Sequence, residues 1–121
     1  MIKNNESVEK LNKTIRQMQE LGLVTQNIGI ARPPIPVKIE YINHHAIKRM
    51  AERGMKESDA QSFIENAMIM FVQDEGEKRL YISQDGNAVI LVEGTKLISA
   101  YSSAYFDEGM KRIINEVKKY V

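Results

Sequence analysis

Residues 79–102 read RLYISQDGNAVILVEGTKLISAYS. Three runs rich in apolar and β-branched residues, 79–83, 88–92 and 97–102, are separated by Asp85-Gly86 and Gly94-Thr95. Such dipeptides between alternating runs signal tight hairpins, so the stretch predicts three strands of an antiparallel meander. With two-residue turns the register follows. One sheet face then carries Leu80, Ile82, Val89, Leu91, Ile98 and Ala100 and is expected to be the core. The other carries Arg79, Tyr81, Ser83, Ala88, Ile90, Val92, Leu97, Ser99 and Tyr101. Tyr81, Ile90 and Ser99 are expected in one cross-strand row.

Upstream, MIMFVQ at 68–73 reads as a fourth strand, joined to the meander by the charged turn 74–78. Before it, Ala60, Phe63, Ile64, Ala67 and Met68 repeat as a buried helix face, with Ser58 and Gln61 spaced as a capping box. Downstream, Phe106, Met110, Ile113, Ile114, Val117 and Val121 predict a closing amphipathic helix over 106–120. At the other end, Val8, Leu11, Ile15 and Met18 predict a helix over 5–22 that Gly22 ends. Residues 23–36, LVTQNIGIARPPIP, read as a proline-rich linker. Val37, Ile39 and Tyr41 alternate with charges, as in a short strand or extended lead-in. The expected organisation is a helical arm and linker over 1–36 and a domain over 37–121. Its class is α+β: N-terminal helices, a four-stranded antiparallel meander and a C-terminal helix.

Residues 44–55, HHAIKRMAERGM, form a further helix that Gly54 stops. Ala46, Ile47, Met50, Ala51 and Gly54 fall on one side of the helical wheel. His45, Arg49 and Arg53, each four residues from the last, stack on the other. His44 points about 100° away from His45. The stripe presents an imidazole and two guanidiniums. A solvated helix face has the same pattern.

Composition narrows the chemistry. A chain of 121 residues, 43% hydrophobic and 27% charged, suits one globular domain. A net charge of +1 neither implies nor excludes a nucleic-acid partner, because a local basic patch suffices. Without cysteine there is no disulfide, thiolate metal site or thiol nucleophile. The two histidines are adjacent and cannot face one another on a helix, so no metal site and no cofactor is expected. There is no Gly-x-Ser-x-Gly elbow and no glycine-rich nucleotide loop. MIKNNESVEK lacks the apolar run of a signal peptide, and no stretch approaches a membrane span. A cytoplasmic site of action is expected. A fragment of a larger exported or phage protein would have the same composition.

The remaining His, Arg, Arg, Tyr, Ser and Tyr suit metal-free RNA cleavage. Attack of a 2′-hydroxyl on its own phosphate needs a proton acceptor, a proton donor for the leaving 5′-oxygen and cations on the phosphorane. A histidine side chain titrates near neutrality. Arginine clamps phosphate oxygens. Serine and tyrosine hydroxyls donate to them. A single histidine leaves the second proton role to Tyr81, Tyr101 or water.

The stretch 45–55 resembles the pattern H-a-x-x-R-m-x-x-R-g plus an aliphatic residue. That pattern marks small phage and polymorphic-toxin nuclease domains of the barnase–EndoU–colicin–RelE-like (BECR) group. KLISAY at 96–101, followed by Phe106-Asp107, resembles that group's closing strand and helix, with Ser99 where the group usually has threonine. The likeness covers about 40–120. It implies a metal-independent ribonuclease, a toxin or phage effector, that cleaves RNA such as transfer RNA. It further implies His45 as acid/base group, Arg49 as phosphate ligand and Ser99 and Tyr101 as strand partners. Arg53 would bind phosphate or tie the helix to the sheet. Lys48, Arg79 and Tyr81 join the candidate RNA-binding set by position. A cognate immunity protein or antitoxin would be a partner. Toxins resembling BrnT carry a similar helix. A non-catalytic phage structural or partner-binding module of the same fold is the alternative, motivated by the 1–36 arm.

Overall fold

The computed structural model describes residue 2 and residues 4–121. Its elements are α1 (Asn5–Glu20), β1 (Ile30–Arg32), α2 (His44–Glu52), α3 (Glu57–Glu65), β2 (Ala67–Gln73), β3 (Lys78–Ser83), β4 (Ala88–Val92), β5 (Lys96–Tyr101) and α4 (Glu108–Lys118). The class is α+β, with one antiparallel sheet of five strands in the order β1-β2-β3-β4-β5. β2 to β5 are the expected meander. β1 is an added edge strand, drawn from the stretch read as linker.

Helices cover both sheet faces. On one, Leu11 and Ile15 of α1 and Ile113 and Val117 of α4 pack against Phe71, Leu80, Ile82 and Ala88. On the other, Ala46 and Met50 of α2 and Ala60 and Ile64 of α3 pack against Met70, Tyr81, Val89, Leu91, Leu97 and Ala100. This is why β2 reads as an unbroken apolar run: its neighbouring side chains enter opposite cores, and both cores are apolar. Residues 1–36 were expected to form an arm and linker. Within them, α1 and β1 belong to the same body, because the stripe Val8–Leu11–Ile15 is buried in the chain's own core. The loop after α1 is tied down as well. Gln26 donates to Asp107 at 2.6 Å, and Arg112 donates to the Leu23 carbonyl at 2.8 Å.

The expected register is corrected at the first hairpin. Ser83 N donates to the Asn87 carbonyl at 2.8 Å, which leaves a three-residue loop, Gln84 to Gly86, with Gly86 at φ +80°. One extra loop residue reverses the faces of everything beyond it. Leu80 therefore lies opposite Ile90, and Tyr81 opposite Val89. The second loop, Glu93 to Thr95, also has three residues. A register shift between Ile90 and Leu91 restores the expected pair Ile90–Ser99. The shift buries Leu97 and leaves Ile98 half-buried, the reverse of the expectation.

Helix ends differ for local reasons. α3 begins after Lys56, whose backbone N–H donates to Asp59 Oδ2 at 2.8 Å, so Ser58 lies inside the first turn rather than at the cap. Gln61, expected in the capping box, acts as a surrogate strand. Its amide accepts from Ile39 N at 2.9 Å and donates to the Val37 carbonyl at 3.0 Å. Asn43 caps α2, with Oδ1 accepting from Ala46 N at 3.1 Å. On α2 only Ala46 and Met50 are buried. Ile47 is half-buried and Ala51 exposed, a narrower stripe than expected. The lead-in 37–41 forms no strand beyond a single parallel bridge from Glu40 to Lys96.

Gly29 has φ +91°, and a Cβ there would lie 2.2 Å from the Val72 carbonyl oxygen. Gly54 has φ +74° and open space around it. Gly29→Ala is expected to destabilise the protein by about 3 kcal/mol and Gly54→Ala by about 1 kcal/mol, as read by urea denaturation. Equal losses would contradict this account of β1.

Candidate functional site

α2 packs across β5, the sheet's far edge, with Ala46 and Met50 among the side chains buried there. Gly54 ends the helix in a left-handed turn. Arg53, at its C-cap, is thereby aimed at the strand. Arg53 Nη1 donates to the Ala100 carbonyl at 3.0 Å and reaches Ser99 Oγ at 3.4 Å. An edge strand leaves alternate carbonyls without a ladder partner, and the guanidinium satisfies one of them. The same guanidinium lies 6.0 Å from the Tyr101 ring centroid and 5.1 Å from that of Tyr105. Tyr101 in turn meets Phe106 edge-on at 5.7 Å. Arg53 thus reaches from the α2 layer round the sheet edge to aromatic side chains that pack toward α4.

The structure brings Arg53, Ser99 and Tyr101 together. His45 and Arg49 are on the same helix face but stand apart from that cluster. Both are exposed. At 1.5 Å per residue, Arg49 lies about 6 Å and His45 about 12 Å along the axis from Arg53. Arg49 has no ion pair or side-chain hydrogen bond among the described residues, which leaves its guanidinium available. Lys48 is exposed on the same helix.

Two expected members fall elsewhere. Tyr81 was placed on an open face beside Ser99. It is fully buried on the α2/α3 side, and its hydroxyl donates to the Ile35 carbonyl at 2.7 Å. Arg79 lies two residues back on the same strand and face, half-buried, with Nε enclosed and unpartnered. The loop length puts Ser99 on the face opposite Tyr81, and the cover of α2 and α3 encloses the face that Tyr81 and Arg79 share. Tyr105 was missed altogether. It sits in a 3₁₀ turn, Ser103–Tyr105, where no periodicity marks it. Its four-residue spacing from Tyr101 is the one sequence cue.

Burial raises the Tyr101 hydroxyl above the usual 10.0, with Asp107 adding to the rise and Arg53 opposing it. At neutral pH this phenol is protonated, so it can donate a proton or hydrogen bond but cannot serve as a base. A groove of about 600 Å³ lies elsewhere, between the lead-in and α3, lined by Val37, Ile39, Tyr41, Glu57 and Gln61. None of the Arg53 cluster lines it.

Comparison with family models, with curated proteins and with solved structures finds no match to this chain. The site is therefore defined by its own geometry.

Arg53→Ala removes a charged donor from the β5 edge and is expected to cost about 2 kcal/mol in denaturant unfolding. Arg53→Lys is expected to recover less than half of that, since an ammonium lacks the planar fork. Full recovery by lysine would show that charge alone matters.

Burial also raises Tyr41 and Tyr81 above 10.0. The folded state then keeps protons that the unfolded chain releases. This contribution to stability is complete below about pH 10 and is lost as pH rises through the raised values. The unfolding midpoint is expected to fall from about pH 10 upward, less steeply in Tyr101→Phe than in the parent. Identical slopes would contradict the burial of that hydroxyl.

Proposed function

We propose that the protein is a metal-independent endoribonuclease of BECR-like fold, cleaving RNA by attack of a ribose 2′-hydroxyl on the adjacent phosphate. The observation that carries this reading is the contact of α2 with β5: Arg53 lies at once against Ser99 Oγ, the Ala100 carbonyl and the Tyr101 ring. It joins the two segments whose residues resemble the nuclease signature.

The helix face divides the work. His45 accepts the 2′-hydroxyl proton, O2′ bonds to phosphorus, and the bond to the 5′-oxygen breaks. The unpaired Arg49 neutralises the phosphorane oxygens. The leaving 5′-oxygen takes its proton from water. Arg53, engaged with a backbone carbonyl, positions Ser99 and Tyr101 along the RNA path. The products are a 2′,3′-cyclic phosphate and a 5′-hydroxyl. In this reading an immunity protein or antitoxin would be an acidic partner that covers the exposed cations of α2. The apolar stripe of α1, one of the features that motivated the partner-binding alternative, is covered by the chain's own core.

Total RNA incubated with the protein in EDTA is expected to yield fragments with cyclic-phosphate ends. His45→Ala and Arg49→Ala are each expected to lower the rate by about 10² or more. Intact RNA with the parent protein, or an undiminished rate in His45→Ala, would overturn the proposal.

A further inference from the structure

Seven large apolar side chains are strongly exposed among the described residues, and Tyr105, at 60%, is the one aromatic ring among them. Its position is fixed rather than incidental. The 3₁₀ turn that carries it closes with Tyr105 N donating to the Ser102 carbonyl and Phe106 N to the Ser103 carbonyl, both at 3.1 Å. The next residue, Phe106, is anchored in the core. Tyr101 braces the ring edge-on, with centroids 6.4 Å apart and planes at 77°. The Arg53 guanidinium sits over the ring at 5.1 Å. A rigid aromatic ring with a cation beside it and much of its surface in water suits an unpaired nucleobase, which stacks on aromatic and guanidinium planes. A base inside a duplex has both faces covered by its stacked neighbours.

We infer that Tyr105 is a base-stacking platform that holds an unpaired nucleotide of the RNA beside the phosphates on α2. The inference rests on the ribonuclease reading for its choice of ligand, and it makes single-stranded RNA the substrate class. Tyr105 takes no part in proton transfer. It positions the strand and favours nucleotides free to unstack.

The test uses two labelled 2′-O-methyl RNA oligomers, one bearing bases and one abasic, neither with the hydroxyl needed for cleavage. Binding is measured by fluorescence anisotropy for the parent, Tyr105→Phe and Tyr105→Leu. Each protein's unfolding midpoint is checked alongside, since the side chain is exposed and the fold should be unchanged. Parent and Tyr105→Phe are expected to bind the base-bearing oligomer alike, and Tyr105→Leu about 10-fold more weakly. All three are expected to bind the abasic oligomer equally. An unchanged affinity in Tyr105→Leu, or an equal loss on both oligomers, would overturn the platform. Failure of the parent to bind the base-bearing oligomer would overturn it too. Tyr105-dependent binding without cleavage of natural RNA would leave the platform standing and refute the ribonuclease reading.

Discussion

A sheet covered by helices on both faces has only its edges left to water, and the rest of this structure follows from that constraint. Phe71, Leu80 and Ile82 fill one core while Met70, Tyr81 and Val89 fill the other. Burial on this scale contributes about 1.5–3 kcal/mol for each large apolar side chain. It also means that every buried backbone group must find a partner. Inside the sheet the ladder provides them. At the edges, side chains and the Glu40 backbone do. On β1, Asn12 of α1 accepts from Ala31 N at 2.7 Å and donates to its carbonyl at 3.1 Å, standing in for a further strand. On β5, Glu40 bridges to Lys96, and Arg53 takes the Ala100 carbonyl. Both devices also blunt edge-to-edge association.

The proposed function grows from the second of these edges. An arginine that closes a strand edge is held in place by structural need. Being held, it organises its neighbours: Ser99 on the strand, the rings of Tyr101 and Tyr105 beyond it. The exposed part of α2 continues from this anchor toward Arg49 and His45, whose side chains have no structural duty among the described contacts. The helix face is thus graded, from a committed guanidinium at its C-terminus to free polar groups nearer its start. That gradation separates a residue that positions from residues available to touch a phosphate.

The sequence disclosed much of the architecture because hydrophobic spacing is a local property. The stripes on α1, α2, α3 and α4 and the runs of β2 to β5 were legible from residue order. The stripe His45–Arg49–Arg53 was legible for the same reason. Two kinds of feature were not. Loop length at Gln84–Gly86 was invisible in the Asp85-Gly86 signal, and one residue there set Tyr81 opposite Val89 rather than Ile90; that α2 and α3 cover the Tyr81 face was equally invisible. β1 is three residues long, too short to show alternation, and exists because β2 offers it an edge. Tyr105 carries no periodic signal at all.

The amino-acid order by itself determined the four helices and strands β2 to β5, the α+β class and the cations on one side of α2. Each of these depends on neighbours a few positions away. Only the tertiary structure decided which sheet face each strand residue enters, that α1 and β1 share the domain's core, and that Arg53 meets Ser99, Tyr101 and Tyr105. The Arg53 contacts join residues 46 to 52 positions apart, and the three-residue hairpin loop and the register shift between β4 and β5, which set the faces of those strands, carry no hydrophobic signature.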